Sequence, residues 1–191
     1  MSRSSQADAA RHREEVVDAT SRMLRERGAA NVSVQEAMSA AGLTHGGFYK
    51  HFRSKDALVA AATRDAFGDI LGRLDRVAAE SPDGPTARDR LVTEYLSPEH
   101  RDAPGTGCAN AALATDAARA TSPELRAAFT DGLRATVDRL AAVEGGGPDA
   151  RAHALVDLVV LVGSLTLARA TTGDPVSDEL LALAREHLAQ R

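Results

Sequence analysis

SVQEAMSAAGLTHGGFYKHFRSKDAL, running from Ser33 to Leu58, decides the fold of this 191-residue chain. Asn31 or Ser33 caps a helix over 34–40 that turns Val34, Ala37 and Met38 inward. Gly42 ends that helix, supplying a turn that a Cβ-bearing residue resists. Ala37, Ala40 and Leu43 are small or apolar where two short helices must pack. Thr44 caps the second of them, over 45–51, and Ser54 caps the next helix. Asp56 lies in that helix's first turn, where a carboxylate favours the N-terminal dipole. Two short helices joined by Ala41-Gly42-Leu43 make a helix-turn-helix, whose second helix is built to enter the DNA major groove.

The composition of the second helix agrees. Gly46 and Gly47 each cost about 1 kcal/mol against Ala in a helix, and their return is close backbone approach to another surface. Phe48 and Phe52, four apart, share a face toward the core. His45, Tyr49, Lys50 and His51 are then left facing outward as donors. Lys55 follows at the start of the next helix, where backbone N–H groups also favour phosphate. The net charge of −4 is unevenly spread. Residues 1–56 hold nine Lys/Arg against seven Asp/Glu, and the remainder holds 14 against 20. Both lysines of the chain, Lys50 and Lys55, fall in this one mildly basic segment.

Outward from this stretch, punctuation and 3.6-residue periodicity read as helix almost throughout. One helix is expected over 9–27, and the helix that Ser54 caps continues to about 79. Ser81-Pro82-Asp83-Gly84-Pro85 is a break, followed by a helix near 85–96 and a Pro/Gly-rich loop over 97–107. Helices near 108–119, 122–143, 149–171 and 177–190 complete an all-α chain of about nine helices. Hydrophobic residues are 43% of the chain, enough for a real core, and aromatics only 3%. No uninterrupted apolar window of membrane-spanning length occurs, so no membrane span is expected. The single cysteine, Cys108, excludes an intrachain disulfide, and Met1–Arg13 lacks a signal-peptide apolar run, so a cytoplasmic protein is expected. There is no phosphate loop, metal-ligand spacing or catalytic Ser/His/Asp grouping. No cofactor and no catalysis are expected, which leaves a helical enzyme or adaptor as the rival classes.

In order and spacing, Ser33-Val34, Ala40-Ala41-Gly42-Leu43, Phe48-Tyr49-Lys50-His51-Phe52 and Ser54-Lys55-Asp56-Ala57-Leu58 resemble the N-terminal signature of the TetR family. The resemblance covers roughly residues 13–60. It implies a three-helix helix-turn-helix DNA-binding domain over 1–56 and a helical ligand-sensing and dimerisation domain over 57–191. By resemblance, His45, Gly46 and Lys50 meet base edges, while Ser33, Thr44, Tyr49, His51 and Lys55 grip phosphates of a double-stranded operator. The last two helices are implied to pair with a second copy, giving a homodimer on a palindromic operator. The sequence supports this independently, because Leu155, Val156, Leu158, Val159, Val160, Leu161, Val162, Leu165 and Leu167 cover one helix nearly all round. Gly163 and Ser164 would allow close helix approach. A small-molecule effector is expected among Phe67, Leu71, Tyr95, Cys108, Leu113, Phe129, Leu133, His153 and Asp157. His153 and Asp157, four apart, are candidates to pair with each other. A second expectation makes Cys108 itself the trigger, since a helix N-terminus raises thiol reactivity. Gly107-Cys108 also resembles a branch of the family that senses oxidants or electrophiles.

Overall fold

The structure, a computed structural model, describes residues 3–190. Nine α-helices and three 3₁₀ turns follow one another among the described residues, with no strand. Helix α1 (Arg3–Arg27), a turn at Ala29–Asn31, α2 (Val34–Ala40) and a turn at His45–Lys50 form a small head. Helices α3 (Lys55–Glu80), α4 (Gly84–Tyr95), α5 (Pro98–Asp102), α6 (Ala109–Arg119), α7 (Pro123–Val143), α8 (Ala150–Ala170) and α9 (Pro175–Ala189) form the body.

Local chemistry sets the starts. Ser33 caps α2 reciprocally: its hydroxyl accepts from the Glu36 N–H at 3.2 Å, and the Glu36 carboxylate accepts from the Ser33 N–H at 2.9 Å. The Ser33 hydroxyl, donating to that carboxylate at 2.7 Å, and the Ser33 N–H hold the Glu36 carboxyl below its ordinary range. Ser54, Asp83, Ser97 and Asp174 cap α3, α4, α5 and α9 through their own side chains. Gly42 takes φ +70°, the left-handed conformation expected of the residue that stops α2.

Two segments differ from the sequence expectation. Residues 45–50 form a 3₁₀ turn and not an α-helix; adjacent Gly46 and Gly47 remove the propensity that would hold i→i−4 bonding over so short a span. The expected loop 97–107 contains α5 and a turn at Pro104–Thr106. Here Ser97 caps and Pro98 starts a helix too short to leave a periodic pattern.

One apolar core runs from head to body without interruption. Val16, Leu24, Met38, Phe48 and Phe52 join Leu58, Ala62 and Phe67, and through them Ala109 and Leu113. Helix α3 is the shared wall, and residue 56 lies in its first turn, so one helix belongs to both halves. It packs tightly on α7 at Gly132, where a methyl group would fall against the Phe67 ring. A second cluster, with Val92, Leu96, Leu161, Leu181 and Leu188, ties α4 to α8 and α9.

Candidate nucleic-acid interface and effector cavity

The head buries its two phenylalanines and spends its remaining side chains outward. Phe48 is 1% exposed and stacks on Phe52 with ring centroids 5.6 Å apart. Tyr49, between them in sequence, is 77% exposed. Its ring meets that of Phe48 edge to face, with centroids 5.2 Å apart, and its hydroxyl is left for a partner from outside. Ser33, Thr44, His45, Gly46 and Lys50 are exposed beside it, and His51 and Lys55 are half-buried. Thr44, Lys50 and His51 share one shallow groove with His12 of α1, whose ring lies 6.5 Å from that of His51. Sequence reasoning did not pick out His12, because only the fold brings it here.

The cations of this region divide sharply. Arg11, Arg22, Arg25, Arg27 and Arg53 each hold an acidic side chain, and Arg13 lies over the Phe52 ring at 5.1 Å. Lys50 and Lys55 make no ion pair among the described residues. Both ammonium groups are thus free for a polyanion, as the opening of a DNA contact requires.

The body contains a cavity of about 80 Å³ between α3, α4, α6, α7 and α8. Its rim carries Asp69, Arg73 and Glu94, and its inner wall carries Tyr95, His100, Cys108, Asn110 and Thr136. Asn110 is 2% exposed, and neither its amide oxygen nor its amide nitrogen has a hydrogen-bond partner among the described residues. The Tyr95 hydroxyl is equally enclosed, with the Cys108 thiol beside it and no partner at full hydrogen-bond geometry. Burial pushes that phenol well above its ordinary range, and the neighbouring Cys108 thiol adds to the effect. His100 is fixed from both ends: Nδ1 meets the Tyr95 carbonyl at 2.7 Å, and the Cys108 N–H donates to Nε2 at 3.2 Å. Accepting from a backbone N–H requires a neutral ring with its proton on Nδ1. Burial holds the His100 pKa below its ordinary value, in keeping with that state.

Of the nine expected effector residues, Tyr95 and Cys108 line this cavity. Phe67 and Phe129 pack edge to face in the core, 5.6 Å apart. Leu113 is fully buried in that same cluster. Leu133 packs against the cluster of Val137 and Leu158, and Leu71 is half-buried on α3. His153 and Asp157 each face a partner from another element. Asp157 receives the Arg88 guanidinium at 2.7 Å, and His153 lies 3.5 Å from Glu144 in a separate open groove. Helix α4 and the residue that ends α7 supply those partners, which spacing along α8 does not reveal.

Three parts of the body clasp the last turn of α1 and the turn that follows it. Asp69, on the cavity rim, holds the buried Arg25 at 2.9 Å. The turn at Pro104–Thr106, just ahead of Gly107 and Cys108, sets Gly105 against the Glu26 carboxylate. Asp116, on the helix that carries Asn110, accepts the Ala29 N–H at 3.0 Å. The cavity walls therefore touch the base of the head directly.

Apart from Tyr49, the exposed large apolar side chains all lie on α8 and α9: Leu155, Val156, Val159, Leu167, Val176 and Leu183. Helix α8 is long and apolar enough to cross a membrane by length and composition, although no uninterrupted apolar window had been found in it. Its inward face, with Leu158, Leu161 and Leu165, is buried against the fold. Nothing lies within 4 Å of a methyl built at Gly163, so that position is open to an approaching helix.

The architecture is a helix-turn-helix head on an all-helical body with an internal cavity. Residues 16–62 match the profile described as "Bacterial regulatory proteins, tetR family". Over 81 residues it is 31% identical to the HTH-type transcriptional repressor KstR2 of Rhodococcus jostii (strain RHA1). That stretch is 42% of this chain and spans 40% of the relative's length. In fold, the chain is similar to Escherichia coli NemR in its reduced form, with a TM-score of 0.81 and 20% identity over 94% of this chain and 95% of that one. It is also similar to FadR of Bacillus subtilis in complex with stearoyl-CoA, with a TM-score of 0.69 and 17% identity over 92% and 97% of the two chains.

Proposed function

We propose that this chain is a TetR-family transcription regulator, a dimeric one-component repressor that holds a palindromic operator and releases it when a small molecule enters the cavity beside Asn110. The observation that carries the DNA-binding part is the division of cations in the head. Five arginines are engaged by acids within the fold, while Lys50 and Lys55 flank the open Tyr49 unpaired. Lysines, a tyrosine hydroxyl and the Ser33 and Thr44 hydroxyls suit phosphate oxygens. His45, Gly46 and Lys50, on the short turn, suit base edges in the major groove. The name of the Rhodococcus relative favours repression.

The exposed apolar stripe on α8 and α9 supports the dimer: a second copy related by a two-fold axis buries the same stripe on both chains. Two recognition turns then address two half-sites, roughly one helical turn apart. Release follows from the three-point clasp on α1 and the turn that follows it. At about 80 Å³ the cavity is far smaller than a typical ligand site. An effector enlarges it by moving walls that also hold Arg25, Glu26 and Ala29. An effector that prefers the widened state lowers DNA affinity by its differential affinity for the two states.

A second reading makes Cys108 the trigger. Its thiol is part of the cavity wall, so an electrophile small enough to enter meets it there. A Cys108→Ser variant that still releases DNA on treatment with such an electrophile removes this reading. Selection from a random double-stranded DNA pool tests the main proposal. Enrichment of a two-fold symmetric sequence by the wild-type chain, lost on Tyr49→Ala with Lys55→Ala, is the expected result. No enrichment by the wild-type chain overturns it.

A further inference from the structure

Asn110 is the least explained residue of the body. A buried amide normally has partners, and leaving both its donor and its acceptor unmatched costs stability that an apolar residue of the same shape would not. Its side chain lies on the buried face of α6 between Ala109 and Leu113 and borders the cavity, as does the Tyr95 hydroxyl. Thr136 adds an acceptor there, since its own proton goes to the Gly132 carbonyl at 2.8 Å. No charged side chain lines the inner wall; Arg169, which acts on Tyr95 and His100 from behind it, gives its guanidinium to the His100 and Arg101 carbonyls. His100 is neutral, and the charged residues of the cavity, Asp69, Arg73 and Glu94, stand at the rim, where Arg73 and Glu94 face each other at 3.7 Å and Asp69 holds Arg25. An ammonium on the inner wall would be desolvated without a counter-ion, and a carboxylate would meet Arg169 only across the His100 carbonyl that already holds it.

We infer that the cavity recognises a neutral planar group with an N–H or O–H donor beside a C=O acceptor, the arrangement of a carboxamide, lactam or imide. Its acceptor takes the Asn110 amide N–H₂, its donor gives to the Asn110 carbonyl oxygen, and the Tyr95 hydroxyl closes on the remaining lone pair. Leu74, Leu91, Leu140, Leu158 and Leu161 supply an apolar surround for the carbon skeleton. This assignment rests on the effector reading of the cavity and narrows it to one class of ligand.

Two five-membered rings of nearly equal size test it: 2-pyrrolidinone, which has the N–H beside the C=O, and cyclopentanone, which has the C=O alone. Binding to the full-length protein is followed by chemical-shift titration, including the Asn110 side-chain amide, with retention of the selected DNA measured in parallel. The lactam is expected to bind about tenfold tighter than the ketone, the worth of one to two neutral hydrogen bonds. That preference disappears in Asn110→Leu and shrinks in Tyr95→Phe, which removes a single oxygen and keeps the ring packing. Equal affinities for the two rings, or a lactam preference that survives Asn110→Leu, overturns the inference. Lactam preference without any effect on DNA retention upholds the ligand class and removes the effector reading on which it was built. DNA release by ligands that lack the donor–acceptor pair, with no lactam preference, does the reverse.

Discussion

In the head, the side chains without partners point at solvent: Tyr49 is 77% exposed, and Lys50 and Lys55 stand clear of every acid among the described residues. In the body the direction reverses. Asn110 is 2% exposed, and its amide and the Tyr95 hydroxyl face an enclosed space. A group unmatched at the surface is hydrated and costs folding almost nothing, whereas one unmatched inside costs stability in proportion to its desolvation. The two regions thus signal binding in different currencies, exposure in one and lost stability in the other. Substitutions at the two sites should consequently separate cleanly in what they do to melting temperature.

The largest effect is expected at the face joining two such regions in a dimer. Val159→Glu places a charge on the most exposed apolar residue of α8. Loss of the second half-site should weaken operator binding by about 100-fold or more, with a shift to monomer in sedimentation. A stable dimer with unchanged affinity would remove the α8–α9 stripe from the interface.

Next come the head residues. Lys55→Ala and Tyr49→Ala should each weaken binding across all DNA sequences. Each lost phosphate contact should flatten the log–log salt dependence by about 0.9. Their melting temperatures should stay at the wild-type value, and a drop would place these residues in the fold and not on DNA.

The body should answer in stability. Gly132→Ala drives a methyl into Phe67, an overpacking expected to cost about 1–3 kcal/mol, or roughly 2–4 °C of melting temperature per kcal/mol at this size. Asn110→Leu should move the other way by about 1–3 kcal/mol, raising the melting temperature while destroying the polar recognition of the cavity. A fall would show that Asn110 is satisfied in the folded protein and would erase the contrast between the regions.

The smallest effect is a pH dependence from His100. Burial lowers its folded pKa, so the unfolded chain binds more protons. The contribution is complete above the unfolded value of roughly 6.5 and is lost as pH falls through the folded one. Arg169 and Arg73 face the ring and act in the same direction. A melting curve that weakens below about pH 6.5, and that His100→Gln flattens, is the expected result.

The head was legible in the sequence almost residue by residue, because its signals are local: Ser33, Gly42 and Ser54 punctuate it, and the Phe48–Phe52 spacing sets its inner face, although the Thr44 side chain makes no capping bond. What was misread there, a 3₁₀ turn taken for an α-helix, lay in two adjacent glycines already in view. The cavity was much less legible. Leucines and phenylalanines that line a cavity have the same composition and period as those that fill a core, so Phe67, Leu113 and Phe129 looked as eligible as Tyr95. The signal that was present and passed over is Asn110, a lone amide on the small-residue face of α6. Thr136 and His100 come to the cavity only through tertiary packing that no spacing encodes.

The Asp116 carboxylate takes its hydrogen bond from the main chain of Ala29 and not from a side chain. A grip on backbone is indifferent to the identity of the residue gripped. Recognition residues in the head can therefore diverge freely without disturbing how the body grips this turn, and chimeras that exchange heads between relatives should keep that grip intact. The two side-chain ties, Arg25 with Asp69 and Arg53 with Glu124, are the pairs that must travel together in such an exchange.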